Sequence, residues 1–249
     1  MVQNISILRF GNIFIEPIFN SKYIHSVQVT FKEDFGVVGR GGYFDVYGII
    51  RDVIQNHLMQ LVSLIAMEPP VNILGINSAD NIRNSKVNVL KCISCPTLDQ
   101  CIIGQYDGYL DDTSIPPDSI TPTFAMIQLN INNPRWDGVP FIIKAGKALE
   151  SRKAEIRVQF KDVAGVNYMF PGFDFPRNEL VLRLQPEAVY MKLNIKQPGL
   201  GFEPVTSELD LTYENRYVYV CIVCVCVLGM CVLDVCSRYV YICGGGCMC

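Results

Sequence analysis

Hydrophobic and polar positions alternate with a period of two along several stretches of the chain. Residues 26–32, Ser-Val-Gln-Val-Thr-Phe-Lys, show this alternation, which predicts a strand with one buried face. Similar runs recur after residue 122, separated by Gly, Pro, Asn and Asp, and each predicts a further strand. The predicted strands are Thr123–Ile131, Val139–Lys144, Ala154–Phe160, Glu179–Leu184, Ala188–Ile195 and Glu208–Tyr213.

The pattern from Asp45 to Met67 is helical. Apolar residues recur there at roughly helical spacing, and no Gly or Pro follows Gly48 until the Pro69–Pro70 pair, which would end the helix. Residues 79–90 predict a short polar helix, and residues 104–122, rich in Gly, Asp and Pro, predict a loop. One long helix followed by many strands predicts an α+β fold. We expect a large, mostly antiparallel sheet with helices packed on one face.

Composition changes abruptly near residue 217. The chain has 249 residues and 11 cysteines, and eight of these cysteines lie in residues 217–249. The same 33 residues carry only two charges, Asp234 and Arg238. We therefore predict one domain over residues 1–216 and a Cys/Val/Tyr-rich tail over 217–249 that is disordered or artefactual, as translated repetitive DNA would be. A membrane span and a cysteine metal site are the alternatives for this tail.

The charge balance narrows the classes of partner. With 21 basic and 24 acidic residues, a dominant nucleic-acid-binding or anionic-membrane-binding surface is excluded. The N-terminus has no secretory pattern, and no uncharged apolar run of 18 residues precedes residue 217, so we expect a cytoplasmic protein without a membrane partner. Gly39–Gly42 lacks the spacing and the strand-turn-helix context of a dinucleotide-binding loop. No Rossmann domain is therefore predicted.

His57 is the first candidate for chemistry. It lies within the predicted helix with Val53 and Leu61 one turn away on either side, a position that suits either a core residue or a catalytic base. Asp52, five residues earlier, would point roughly 140° around an α-helix from His57. That separation favours two groups that contact one ligand over a buried Asp–His pair.

A cationic cluster is the second candidate. Five cations fall within 14 residues, which suits either a phosphate site or a solvated surface. They are Lys144, Lys147, Arg152, Lys153 and Arg157. The Cys92-x-x-Cys95 pair and Cys101 have no histidine nearby in sequence, so no metal site is predicted.

Two long ungapped motifs resemble glucose-6-phosphate dehydrogenases. Residues 39–58 read Gly-Arg-Gly-Gly-Tyr-Phe-Asp-Val-Tyr-Gly-Ile-Ile-Arg-Asp-Val-Ile-Gln-Asn-His-Leu, and residues 135–149 read Arg-Trp-Asp-Gly-Val-Pro-Phe-Ile-Ile-Lys-Ala-Gly-Lys-Ala-Leu. Residues 9–12 and 208–213 fit as well, so the resemblance runs from residue 1 to about 217. It is closer to the plant cytosolic type than to the animal type.

The resemblance implies oxidation of glucose 6-phosphate at C1 to the 6-phosphogluconolactone with NADP+, at the entry to the oxidative pentose phosphate pathway. It implies that His57 is the general base for the C1 hydroxyl proton. It implies substrate contacts at Glu33, Asp52, Lys147, Arg152 and Gln185. A second, structural NADP+ is implied at Lys144, Lys153, Arg157, Arg183, Tyr190, Lys192, Asp210 and Arg216.

The family's Rossmann domain would precede Met1 and is not in this sequence, and neither is the Asp-His-Tyr-Leu-Gly-Lys segment that carries the aspartate orienting the histidine. We therefore expect the isolated chain to be inactive. The intact family implies a homo-oligomer. Two alternatives stay open: a non-catalytic truncated subunit that pairs with the full-length enzyme, and a sugar-phosphate-binding module.

Overall fold

The computed structural model describes residues 2–212 of the chain. Arg216 and the predicted tail 217–249 lie outside the described residues. The helices in the described part are α1 Val2–Phe10, α2 Gly41–Ile49, α3 Met59–Ala66, α4 Ser78–Leu90 and α5 Val166–Met169, and a π-helix, Ile50–Leu58, joins α2 to α3. Short 3-10 turns lie at Glu16–Ile18, Leu98–Gln100 and Tyr109–Asp111.

A single eight-stranded sheet organises this part of the chain. The strands are β1 Ile24–Lys32, β2 Cys101–Gly104, β3 Phe124–Asn130, β4 Pro140–Gly146, β5 Lys153–Phe160, β6 Glu179–Gln185, β7 Glu187–Lys196 and β8 Pro204–Asp210. Their order in the sheet is β2-β3-β4-β1-β5-β6-β7-β8. All neighbouring pairs are antiparallel except β1 with β4, which are parallel. The predicted α+β class with a mostly antiparallel sheet is confirmed.

The two faces of the sheet differ because successive side chains point in opposite directions. One face is apolar and carries fully buried residues such as Val29, Phe141 and Ile156. The helices supply the other half of this core, with Ile49 and Ile65 also fully buried. The opposite face is rich in charged side chains from β5, β6 and β7.

Two side chains from distant parts of the chain hold the C-terminus of α3. The Arg9 guanidinium donates to the carbonyls of Leu64 at 3.4 Å, Ile65 at 2.8 Å and Met67 at 2.9 Å. The Trp136 indole donates to the carbonyl of Ala66 at 2.8 Å. These carbonyls belong to the last turn, where an α-helix has no internal donors left. The two motifs that contain Arg9 and Trp136 therefore meet at one helix end.

Most predicted elements are confirmed, but several differ. The hydrophobic pattern did not predict α1, α5 or β2, the last of which lies at the start of the predicted loop. The last strand, β8, begins at Pro204, four residues earlier than predicted, and ends at Asp210. The predicted helix begins at Gly41 rather than Asp45. It is also kinked at Gly48, which has a φ of 63°, a feature that periodicity does not reveal.

Candidate functional site

A cavity of about 700 Å³ opens beside the parallel pair of strands. Three predicted substrate residues, Glu33, Asp52 and Lys147, line it together with the 35–44 segment. β1 and β4 are parallel, and Lys32 lies opposite Gly146 in register. The next residue of each strand is Glu33 and Lys147 respectively, so parallel pairing brings these two side chains to the same edge of the sheet.

The Lys147 ammonium is held in the wall of this cavity by charge and by aromatic rings. It forms an ion pair with the Glu33 carboxylate, and the two side chains are only 12% and 16% exposed. Its nitrogen also lies 5.6 Å from the centre of the Phe35 ring and 5.2 Å from that of Phe44. Both rings attract a cation through their faces. The Lys147 ammonium is therefore held in one position before any ligand binds.

Asp52 and His57 lie on the π-helix, which changes their relation. The Met59 N–H donates to the carbonyl of Ile54, five residues earlier, as π-helical bonding requires. Residues five apart consequently lie nearer to one face than in an α-helix, and the 140° separation expected between Asp52 and His57 is wrong. Asp52 is partly buried and lines the cavity, whereas the His57 imidazole is exposed and does not line it. Within residues 2–212, the His57 side chain makes no hydrogen bond or ion pair.

Arg152 and Gln185 lie apart from the cavity. Arg152 is exposed in the turn before β5, and Gln185 is exposed at the end of β6, where it pairs with Ala154. Neither lines the cavity that Glu33, Asp52 and Lys147 share. Sequence reasoning also missed several lining residues. Of these, Phe35 and Phe44 flank the glycine-rich turn, but their contact with Lys147 depends on a strand pairing that the local pattern does not encode.

The residues predicted for a structural nucleotide share the charged face of the sheet. Strand register places Lys144 and Glu155 on either side of Thr30, and Glu155 beside Arg183. The neighbouring row runs from Arg157 through Val181 and Tyr190 to Asp210. Seven of the eight predicted positions therefore lie on one surface, and the eighth is outside the described residues. They are Lys144, Lys153, Arg157, Arg183, Tyr190, Lys192 and Asp210.

Glu155 is the centre of an ion-pair network on this face. The Glu155 side chain is only 4% exposed. Its carboxylate forms ion pairs with Lys153 at 2.9 Å, Arg157 at 3.1 Å and Arg183 at 3.4 Å. Burial acts to raise the pKa of Glu155, but hydrogen bonds from Lys153 and Arg157 outweigh it and the pKa is lowered. Burial likewise opposes the charge of Arg157, yet Glu155 and Glu179 raise its pKa. Burial raises the pKa of Tyr190, whose hydroxyl accepts a hydrogen bond from Arg183 at 3.2 Å.

Residues 2–212 show neither a metal-binding cluster nor a membrane-spanning helix. No group of three or more His, Cys, Asp or Glu side chains there is arranged to hold a metal ion. No helix in that part of the chain has the length and apolarity to cross a membrane. Cys92, Cys95 and Cys101 are free thiols.

Comparison with known proteins identifies the family. The family described as "Glucose-6-phosphate dehydrogenase, C-terminal domain" matches residues 6–221. The chain belongs to this family. It is 56% identical over 223 residues to the cytoplasmic glucose-6-phosphate 1-dehydrogenase 6 of Arabidopsis thaliana, covering 89% of this chain and 42% of that protein. It is 50% identical over 231 residues to the chloroplastic enzyme of Spinacia oleracea, covering 87% and 40%.

Solved structures agree with this assignment to the dehydrogenase family. A structure titled "Glucose-6-phosphate dehydrogenase in complex with its substrate glucose-6-phosphate" is 52% identical, with a TM-score of 0.79, and the match covers 87% of this chain and 45% of that one. The enzyme from Mycobacterium avium is 33% identical with a TM-score of 0.77, covering 85% and 45%. The chain thus spans less than half the length of the relatives it matches. The relatives include both cytoplasmic and chloroplastic enzymes.

Proposed function

We propose that this chain provides the glucose 6-phosphate site and the catalytic base of a glucose-6-phosphate dehydrogenase. The observation that carries the proposal is the cavity in which Glu33, Asp52 and Lys147 meet beside the π-helix that bears His57. A fixed cation suits the phosphate of the substrate, and two carboxylates suit its hydroxyls, because carboxylates accept hydrogen bonds from hydroxyl groups. Arg152 and Gln185 are the remaining proposed substrate contacts, although neither lines this cavity.

His57 has the properties that a general base requires. A neutral imidazole accepts a proton near neutral pH, and removal of the C1 hydroxyl proton assists departure of hydride from the same carbon. The exposed ring makes no competing hydrogen bond within residues 2–212, so it is available to a substrate hydroxyl. NADP+ would accept the hydride. Because the relatives are more than twice as long as the matched region, we expect the isolated chain to bind the sugar phosphate without turnover.

Ligand-induced thermal stabilisation of the chain tests this proposal. We expect glucose 6-phosphate to raise the melting temperature and glucose to leave it unchanged, because ligands that bind only the folded state stabilise it. Lys147→Met should weaken glucose 6-phosphate binding about tenfold or more, since a hydrogen bond to a charged group contributes roughly 1.5–3 kcal/mol.

Lys86→Met is the matched control for this substitution. Lys86 lies on α4 and donates to the amide oxygen of Gln60 at 3.2 Å. Removal of the Lys86 ammonium should therefore leave glucose 6-phosphate binding unchanged. Equal binding by the Lys147→Met variant and the unmutated chain would contradict the proposed site. Formation of NADPH from glucose 6-phosphate by the chain alone would contradict the predicted lack of turnover.

We further propose that the charged face binds a structural NADP+. Five of the seven described positions are cations, which suit the phosphates of a dinucleotide, and the Lys144 ammonium lies 5.8 Å from the centre of the Phe124 ring. We expect NADP+ without sugar to raise the melting temperature, and Arg157→Gln to abolish most of that shift. No shift at saturating NADP+ would reject this second site.

The oligomeric state and the cellular compartment are proposed from membership of the family. The matched relatives are named as whole dehydrogenases, and their cytoplasmic members support a cytosolic location for this chain. A homo-oligomer is the expected state of the intact enzyme. Light scattering on the purified chain distinguishes a self-associating domain from a monomeric sugar-phosphate-binding module.

A further inference from the structure

We propose that Tyr106 is a positioning residue that sets the geometry of the sugar-phosphate cavity; this inference rests on the function proposed above. Tyr106 lies two residues after β2, within the segment that the sequence identified only as a loop. Its hydroxyl oxygen accepts a hydrogen bond from the Val37 N–H at 3.1 Å. Its own backbone N–H donates to the Thr123 hydroxyl oxygen at 2.9 Å. The residue therefore joins two segments that are 86 positions apart in sequence.

These bonds connect two residues of the cavity lining through Thr123. Val37 lines the cavity, and Thr123 is fully buried. The Thr123 carbonyl in turn accepts a hydrogen bond from the Lys147 N–H at 3.0 Å. A path of three hydrogen bonds thus leads from Val37 through Tyr106 and Thr123 to Lys147. Because both ends of the path line the cavity, Tyr106 helps to fix the position of Val37 relative to Lys147.

Gly36 fits this arrangement. A Cβ at position 36 would lie 2.6 Å from the Tyr106 hydroxyl oxygen and 3.0 Å from the ring carbon that bears it. Such contacts force a shift of the ring or of the backbone. Glycine leaves the room that the hydroxyl needs to reach Val37, and a side chain at this position would displace the contact without altering Tyr106 itself.

Tyr109 provides a matched comparison in the same loop. Its ring packs edge-on against that of Tyr106, with centroids 5.5 Å apart. Its hydroxyl donates to the Asp45 carboxylate at 2.9 Å. Asp45 does not line the cavity, so removal of the Tyr109 hydroxyl breaks a comparable hydrogen bond without freeing the Val37 wall.

Calorimetric titration of the full chain with glucose 6-phosphate and with inorganic phosphate tests the inference. We expect Tyr106→Phe to weaken glucose 6-phosphate binding roughly three- to tenfold, the effect of one lost hydrogen bond. Phosphate affinity should stay within about twofold, because the Lys147 charge does not depend on the Val37 wall. Tyr109→Phe should leave both affinities unchanged. Gly36→Ala should weaken the binding of glucose 6-phosphate but not that of phosphate, as Tyr106→Phe does.

Amide hydrogen exchange at Val37 measures the hydrogen bond to the Tyr106 hydroxyl without any ligand. Tyr106→Phe should accelerate this exchange, and Tyr109→Phe should not. Unchanged glucose 6-phosphate affinity in both Tyr106→Phe and Gly36→Ala would overturn the positioning role, as would equal losses for both ligands in both tyrosine variants. If the unmutated chain binds no glucose 6-phosphate, the proposed function is contradicted, and this outcome is distinct from a failure of the Tyr106 contact. Unchanged exchange at Val37 would overturn the hydrogen-bond contact on its own.

Discussion

Arg9→Met is expected to lower the free energy of unfolding of the chain by about 3–5 kcal/mol, as loss of one member of a buried ion pair does. The Arg9 side chain is 1% exposed and pairs with Glu16 at 3.0 Å. Burial lowers the pKa of Arg9 to about 10, so the guanidinium keeps its charge at neutral pH. Methionine fills similar space but donates no hydrogen bond, and it would leave carbonyls of Leu64, Ile65 and Met67 without this donor. Urea denaturation measures the difference.

Arg83→Met is the control for the Arg9 prediction. Arg83 pairs with Asp80 at 2.6 Å on the surface of α4, and its side chain is 71% exposed. Exposed pairs of this kind contribute roughly 0–1 kcal/mol. If the Arg9 and Arg83 variants lost equal stability, the helix-end role of Arg9 would be refuted.

Seven of the eight described strands, all but β2, were predictable from sequence because their side-chain alternation is local. β6 begins at Glu179 as predicted, and β4 differs by one residue at its start and two at its end. The helical region was harder to predict. Ile49, Val53, Leu61 and Leu64 satisfy an α-helical spacing, yet the kink at Gly48 and the π-helix after it arise from packing against other elements. Ile49, for example, donates its N–H to the carbonyl of Pro122 at 3.0 Å.

The candidate site was predictable only in part, for a related reason. Motif resemblance identified Glu33, Asp52 and Lys147 one by one, and the structure brings these three to one cavity. Their proximity follows from the parallel pairing of β1 with β4, two strands separated by more than 100 residues. Nor could a sequence pattern reveal Tyr106, whose role depends on contacts with Val37 and Thr123 across the fold.

Trp136→Ala is expected to have the other largest effect, again about 3–5 kcal/mol, because truncation of a buried aromatic residue leaves a cavity. The indole is fully buried, and its ring packs edge-on against Phe19 at 6.0 Å and Phe141 at 5.2 Å. It also donates to the carbonyl of Ala66. Trp136→Phe separates the two contributions, since it keeps most of the ring but removes the donor, and it should cost about 1–3 kcal/mol for the unsatisfied carbonyl.

The double variant Arg9→Met with Trp136→Phe tests whether the two side chains act on one helix end. They donate to carbonyls in a single turn, from Leu64 to Met67. If either substitution frays this turn, the second substitution removes a hydrogen bond that is already weakened, and it lowers the free energy of unfolding by less. We therefore expect the combined loss of unfolding free energy to fall short of the sum by about 0.5–3 kcal/mol. Strict additivity would mean that the terminus stays intact after either loss. In that case Arg9 and Trp136 would stabilise the domain through separate contacts, to Glu16 and to the aromatic core respectively.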